Sequence, residues 1–398
     1  MLKPVTNTLR PSTWMMVVHS NVTEYFLLLC VFASRLHHLT AMPLYWDEGF
    51  HIAHARGFVH GQYFYVFPYA RWLNVVLIAL LQPFGVESPW LARSVTVVLS
   101  LIAAVSCLWL GRRLGSRLAG RLALLLYSLL PFAFFYDRQT MADPIMAIFG
   151  SLGLAFTVRM AYRLRLRDSV ATGLLFAAAT LTKFAGVVYL PLPFLAAILF
   201  PRSAAKRRRA FILAAIQVVV FVIVAGAIYT AATREKVSSG GSAIDLYRWC
   251  HSPQCAGQFD LAENLRLIGN NLRQYADVIP PFYTYPIWLL AVGALALAWR
   301  RPVQRRQIIF LLVPGFGLAV PYILIADLFP PRYLTYTLTP VVVLAALTLA
   351  ELWRWLSSTQ LLSSRPILRK MSLGALLILA TLPAAAGTTQ LLFSPFTA

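Results

Sequence analysis

Apolar residues run along this chain in long blocks rather than in short alternating stretches, and the charged residues gather between the blocks. A helix that crosses about 30 Å of hydrocarbon needs roughly 20 predominantly apolar residues. Blocks approaching that length lie at 22–40, 90–110, 119–136, 142–162, 169–183, 186–200, 210–232, 284–299, 307–327, 333–352 and 371–392. The pattern predicts an all-α polytopic membrane protein of about 11 transmembrane helices. It reads as one integral membrane domain over 1–398, with no separate soluble C-terminal domain. Two places strain the scheme. The run 170–200 must cross twice, so its helices are short or re-entrant and turn near Lys183. Segment 71–84 (RWLNVVLIALLQPF) is apolar as well, but a crossing there would invert everything after it. It is assigned a short helix in or near the outer interface.

Composition agrees with a bilayer as solvent. Of 398 residues, 59% are apolar and 12% charged, with a mean hydropathy of +0.69, against roughly 25% charged in soluble globular chains. The net charge of +21 would suit nucleic acid if it formed a groove-reading patch. Instead the cations form short clusters between apolar blocks, around 112–121, 159–167, 202–209, 300–306 and 354–370. That is the signature of cytoplasmic loops, and no nucleic-acid motif accompanies it. With those clusters inside, the N-terminus is inside, the C-terminus outside, and two long loops, 41–89 and 233–283, face outward. The polar N-terminal stretch carries no cleavable signal peptide pattern. An Arg-rich, Lys-poor chain suits a bacterial inner (plasma) membrane, and the two halves share no interrupted-helix pattern that would mark a transporter.

The acids are few, 14 in all, and carboxylates near membrane depth are functional candidates. Asp47 and Glu48 stand in LYWDEGFHIAHARGF, just after the first block, while Asp137 and Asp143 stand in FFYDRQTMADPIM. On the predicted topology these share one face with Arg138, Lys183, Asp327 and Arg332. Each has a plainer reading. Asp143 before Pro144 suits a helix cap, Asp47 and Glu48 suit a helix N-terminus, and Lys183 and Arg332 suit snorkelling to headgroups. Arg138 could simply pair with Asp137 or Asp143. His51 and His54 follow Asp47 at helical spacing, a face able to hold a divalent metal ion or simply a surface one. The aromatic run from Gln62 to Trp72 reads as an interfacial belt or a sugar-stacking platform. Cys250 and Cys255 in CHSPQC are expected to form a disulfide if they face an oxidising compartment, and Cys30 and Cys107 to be packing residues.

Taken in order, WDEG at Trp46–Gly49, the Arg-x4-Asp turn at Arg138–Asp143, Thr182–Lys183 and Arg332–Tyr333 resemble the GT-C membrane glycosyltransferases. The closer likeness is to the protein O-mannosyltransferase and lipid A aminoarabinose transferase group, over roughly residues 20 to 350. The resemblance implies a GT-C-type bundle with interfacial helices in the first outer loop. It also implies a sugar donor linked to polyprenyl phosphate, an extracytoplasmic acceptor (protein, lipid or cell-envelope glycan) and an inverting single displacement. By position it implies Asp47 as base, with Glu48 and Asp143 as further catalytic acids and Arg138, Lys183 and Arg332 on the donor phosphate. Two rival readings are a carrier or flippase for lipid-linked saccharides and a non-catalytic binding subunit.

Overall fold

The computed structural model describes residues 21–61, 71–81, 89–238, 261–325, 331–358 and 366–393. Among them every regular element is a helix: α1 (Val22–Leu36), α2 (Trp46–Val59), α3 (Trp72–Ala79), α4 (Pro89–Leu114), α5 (Arg117–Leu129), α6 (Pro131–Tyr136), α7 (Ala142–Arg163) and α8 (Leu166–Thr182). There follow α9 (Leu192–Leu199), α10 (Ala204–Ser238), α11 (Leu261–Tyr283), α12 (Tyr285–Arg300), α13 (Pro302–Phe316), α14 (Val320–Ile325), α15 (Leu338–Ser358) and α16 (Pro366–Phe393). Short 3₁₀ turns at Phe184–Tyr189, Gly317–Ala319 and Pro331–Thr337 join some of them.

Helix covers most of each apolar block, but the expected number of crossings is not matched by continuous helices. Four stretches among the described residues are long and apolar enough to cross a membrane: Pro89–Leu114, Ala142–Arg163, Ala204–Ala232 and Pro331–Ser358. Phe184–Leu199, Tyr285–Arg300 and Gly374–Gln390 are shorter apolar helices. The breaks have local causes. Pro131 opens α6 after Leu130 has left helical geometry, and the chain is extended at Lys183 (φ −155, ψ 130) before re-forming as a 3₁₀ turn. A proline also sits inside α13 (Pro314) and inside α16 (Pro383), where it removes a backbone hydrogen bond. Among the described residues of block 71–84 the helix is the eight-residue α3, which buries Asn74, Val75 and Ile78 and packs on α2 and α8.

The core lies where α4, α5, α7, α8 and α15 meet, and every residue of α15 from Leu338 to Ala350 is buried. Small residues let these helices touch, as in membrane bundles generally. A Cβ on Gly111 of α4 would stand 2.8 Å from the Ala119 carbonyl oxygen of α5. Gly150 of α7 likewise leaves room for the Tyr189 ring, which stacks on Phe176 with centroids 5.4 Å apart.

Candidate functional site

At one end of the bundle, seven separate pieces of chain converge: the turn after α1, the start of α2, Arg71 before α3, the start of α4, the α6–α7 turn, the end of α8 and the 331–337 turn. They form two layers of charge, one sealed and one partly open to water.

The sealed layer is built on Glu48. It is completely buried, and Arg93 of α4 forks onto it, Nε to Oε1 at 2.9 Å and Nη2 to Oε2 at 2.6 Å. The Thr140 amide donates to Oε1 at 2.8 Å and the Tyr45 amide to Oε2 at 3.0 Å, so the carboxylate also caps α2 as its third residue. Arg93 spends its remaining donors on the carbonyls of Leu39, Met42 and Pro43 at 2.8–3.0 Å. A two-pronged buried pair with every lone pair used holds backbone in place. Glu48, expected as a catalytic acid, is therefore enclosed by Arg93 and two backbone amides. Arg138, expected on the donor phosphate, also lies in this layer. Its Nη2 donates at 2.7 Å to the carbonyls of His37 and His38, and its guanidinium lies 4.7 Å from the Phe134 ring centroid. Burial, with Arg93 and Arg35 close by, lowers it to about 10. The carbonyls it grips fix a bend in which His38 has φ +48, a backbone region that non-glycine residues enter only when held. Asp137 is committed to Arg35 at 2.8 Å and to the Tyr127 hydroxyl at 3.0 Å.

The open layer is built on Asp47. Arg332 Nη1 donates to its Oδ2 at 2.7 Å, and Arg71 Nη1 lies 3.5 Å from its Oδ1. Burial pushes the Asp47 carboxyl up, but Arg71 and Arg332 outweigh it and hold the group below the usual carboxylate range. Asp143 takes the Lys183 ammonium at 2.5 Å, and that ammonium stands 4.1 Å from the Tyr333 ring centroid. The helix cap expected at Asp143 is taken by Met141 instead, and Asp143 sits in the first turn of α7. Of the expected residues, Asp47, Asp143, Lys183 and Arg332 thus come together, while Glu48 and Arg138 support them from behind. Asp327, Cys250 and Cys255 lie outside the described residues. Cys107 is buried and Cys30 exposed, both as free thiols.

His51 and His54 do not extend the site toward a metal. His51 is fully buried; its Nδ1–H donates to the Thr140 carbonyl at 3.0 Å, and its Nε2 accepts from Arg71 at 3.3 Å. A guanidinium occupies the only lone pair it has to offer, and burial together with Arg71 lowers it to about 4. His54 Nδ1 turns back to the Phe50 carbonyl at 2.6 Å. Among the described residues no three His, Cys, Asp or Glu side chains gather in a metal-holding group. Each open carboxylate already faces cations, which disfavours a divalent ion there.

Arg71 and Arg93 were not singled out from the sequence. Arg93 carried a readable signal, a lone cation at the head of apolar block 90–110. Arg71 was masked by the aromatic run before it. A second feature is apolar. An apolar cavity of about 440 Å³ lies between α11, α12 and α13, lined by Tyr275, Ile279, Trp288, Val292, Leu312 and Phe316. One turn beyond Ile279, Phe282 packs on Phe132 and Tyr136 behind the open layer.

Residues 68–229 match the family of dolichyl-phosphate-mannose-protein mannosyltransferases. No curated protein matches the chain by sequence. Among solved structures, ArnT from Cupriavidus metallidurans superposes with a TM-score of 0.59 in its apo state, at 16% identity over 86% of this chain and 62% of that one. Its undecaprenyl phosphate-bound form gives 0.58 at 17% identity, over 96% and 76%. The archaeal oligosaccharyltransferase AglB from Archaeoglobus fulgidus, with an inhibitory peptide and a dolichol-phosphate, gives 0.62 at 14% identity, over 96% and 56%. The present chain therefore spans about three fifths of the length of apo ArnT and rather less of AglB. It is a membrane chain with the GT-C glycosyltransferase fold, similar over residues 68–229 to the dolichyl-phosphate-mannose-protein mannosyltransferases.

Proposed function

We propose that the chain is a membrane glycosyltransferase that moves a sugar from a polyprenyl-phosphate donor to an extracytoplasmic acceptor by an inverting single displacement. The observation that carries this reading is the open layer itself: Arg71, Lys183 and Arg332 against Asp47 and Asp143. Three cations facing two carboxylates leave one positive charge, which a sugar phosphodiester neutralises. Cleavage of the bond from the anomeric carbon to the phosphate oxygen adds a second negative charge to the leaving phosphate. Fixed cations in a half-dry site stabilise that charge far better than water does. The acceptor hydroxyl loses its proton as its oxygen bonds to the anomeric carbon, and Asp47 is the carboxylate assigned to take it.

The two arginines beside Asp47 give the base a dependence on the donor. While they face Asp47 it is ionised but weakly basic. As they turn part of their donors to a phosphate, burial is less opposed and the carboxylate becomes a better base. Glu48 and Arg138 act as positioning residues. The cavity beside α11 is assigned to the prenyl chain, because it is apolar and lies one turn from Phe282, whose ring packs on Tyr136 next to the α6–α7 turn. The eleven crossings, a bacterial inner membrane and an extracytoplasmic site belong to the same proposal, with the broken apolar blocks crossing as short paired helices.

The test is sugar transfer by purified wild type and Asp47→Asn in nanodiscs, with a panel of radiolabelled polyprenyl-phosphate sugars and membrane extract as acceptor source. Loss of a positioned base typically costs 10²–10⁴-fold. Release of polyprenyl phosphate by wild type that collapses in the variant supports the reading. Equal turnover removes Asp47 as base, and donor binding without turnover by either protein removes the enzyme.

A further inference from the structure

The end of the bundle opposite the candidate site carries a rim of cations that the transfer reaction does not use. Arg163, Arg165 and Arg167 flank the α7–α8 turn, and Arg202 with Lys206, Arg207, Arg208 and Arg209 stand at the start of α10; all eight are exposed. The two groups adjoin, because α8 and α10 pack side by side and Ser169 Oγ donates to the Leu213 carbonyl at 2.6 Å. Five other cations at this end have protein carboxylates: Arg112 and Arg121 share Glu24, Arg159 has Asp168, and Arg301 and Arg354 share Glu351. Those three acids are thereby committed. Among the described residues none of the eight rim cations has a carboxylate partner. Four of them occupy the first turns of α10, where no acid accompanies them and where the helix dipole makes positive charge unfavourable.

Below the rim, α10 is the least covered of the four spans: over its most apolar 18 residues 28% are buried, against 56%, 72% and 94% over the same length in the others. Ile212, Ala215, Val219 and Val222 are exposed and follow Arg208 at helical spacing, so cation and apolar stripe share one face. From Arg208 to Val222 this face runs roughly 21 Å, more than the roughly 15 Å of hydrocarbon in one leaflet. Leu166 of α8 is exposed beside it.

We propose that this face binds an anionic phospholipid of the adjoining leaflet, with its phosphate on the Lys206–Arg209 collar and the α7–α8 arginines, and its acyl chains along the Ile212–Val222 stripe. The free phosphate ion shares the headgroup chemistry but has nothing to place on the stripe. The inference stands on the membrane character of the chain and is independent of the transfer reaction.

The experiment titrates phosphatidylglycerol into the purified full chain in neutral detergent, counting bound lipid by native mass spectrometry. It compares wild type, Arg207→Gln/Arg208→Gln and a control of equal charge change, Arg305→Gln/Arg306→Gln. Two phosphate-facing cations correspond to a loss of roughly thirtyfold in affinity, expected in the first variant and not in the control. Equal losses in both would reduce the effect to general attraction and overturn the site. So would unchanged binding in the first variant, or full displacement of the lipid by equimolar inorganic phosphate. If the double variant melts below wild type in phosphatidylcholine nanodiscs, Arg208→Gln alone is read by the same criteria.

Discussion

His51 makes the stability of this fold depend on pH below the ordinary histidine range, a window that His54, also lowered by burial, shares in part. The His51 imidazole is fully buried between the Thr140 carbonyl and the Arg71 guanidinium, and its proton affinity falls from 6.5 to about 4. Below pH 6.5 the unfolded chain takes up a proton that the folded chain refuses until about pH 4. Stability therefore declines as pH falls through that interval. At 1.36 kcal/mol per pH unit, the loss reaches roughly 2 kcal/mol by about pH 5 and about 3 kcal/mol near pH 4. Asp47 has the opposite starting charge and its own window. Its carboxyl is held below 3.8, so its contribution is present above the unfolded value and lost only as pH falls beneath it. The assay is denaturant unfolding in detergent at several pH values, on wild type and His51→Gln. The variant loses a pH-independent amount for its altered packing; the slope of the difference between the two curves is the reading. A difference that narrows by about 2 kcal/mol between pH 7 and pH 5 is expected. Curves that stay parallel over that range would refute a neutral, buried His51.

Three further outcomes follow from the same geometry. Glu48→Ala leaves Arg93 buried without its carboxylate and should cost about 3–5 kcal/mol of stability by denaturant unfolding; an effect under about 1 kcal/mol would contradict a sealed pair. Gly150→Ala places a Cβ 2.1 Å from a Tyr189 ring atom and should lower stability by about 1–3 kcal/mol, with Gly150→Ala/Tyr189→Leu recovering part of it. Arg71→Gln removes the larger of the two attractive charges on Asp47, so its carboxyl rises; the acid limb of turnover against pH should move upward, and an unmoved limb would separate Arg71 from Asp47.

The helical class was legible because the apolar blocks are far longer than any soluble core demands. The number of unbroken spans was not, because block length takes no account of Pro131 or of the 3₁₀ turn at Gly317–Ala319, each of which splits a block into shorter helices. The turn expected near Lys183 was correctly placed, since a charge in the middle of an apolar run has to find a polar end of the bundle. For the site, order along the chain brought Asp47, Asp143, Lys183 and Arg332 to one layer. Order could not tell which neighbour faces in: Asp47 and Glu48 differ by one residue, about 100° of helix rotation, and that rotation separates an open carboxylate from a sealed one. Nor could spacing alone reveal that His51 would spend its second nitrogen on Arg71, which lies 20 residues away.

The division of labour among the arginines follows from what each one touches. Arg35, Arg93 and Arg138 have essentially no exposed surface, and each donates to backbone carbonyls: those of Tyr127 and Ser128, of Leu39, Met42 and Pro43, and of His37 and His38. A guanidinium used this way cannot leave without orphaning several buried carbonyls, at about 1–3 kcal/mol for each unsatisfied group. Arg71, Lys183 and Arg332 keep 15–21% of their side chains exposed and face carboxylates. For them an incoming phosphate replaces one anion by another at little cost. Arg93 and Arg138 thus fix the turn that leads to Asp47, while on the proposed function the exchangeable cations are the ones that meet the donor phosphate. Replacing Arg93 should therefore unfold the site, whereas replacing Arg332 should leave it folded and weaken its hold on a phosphate.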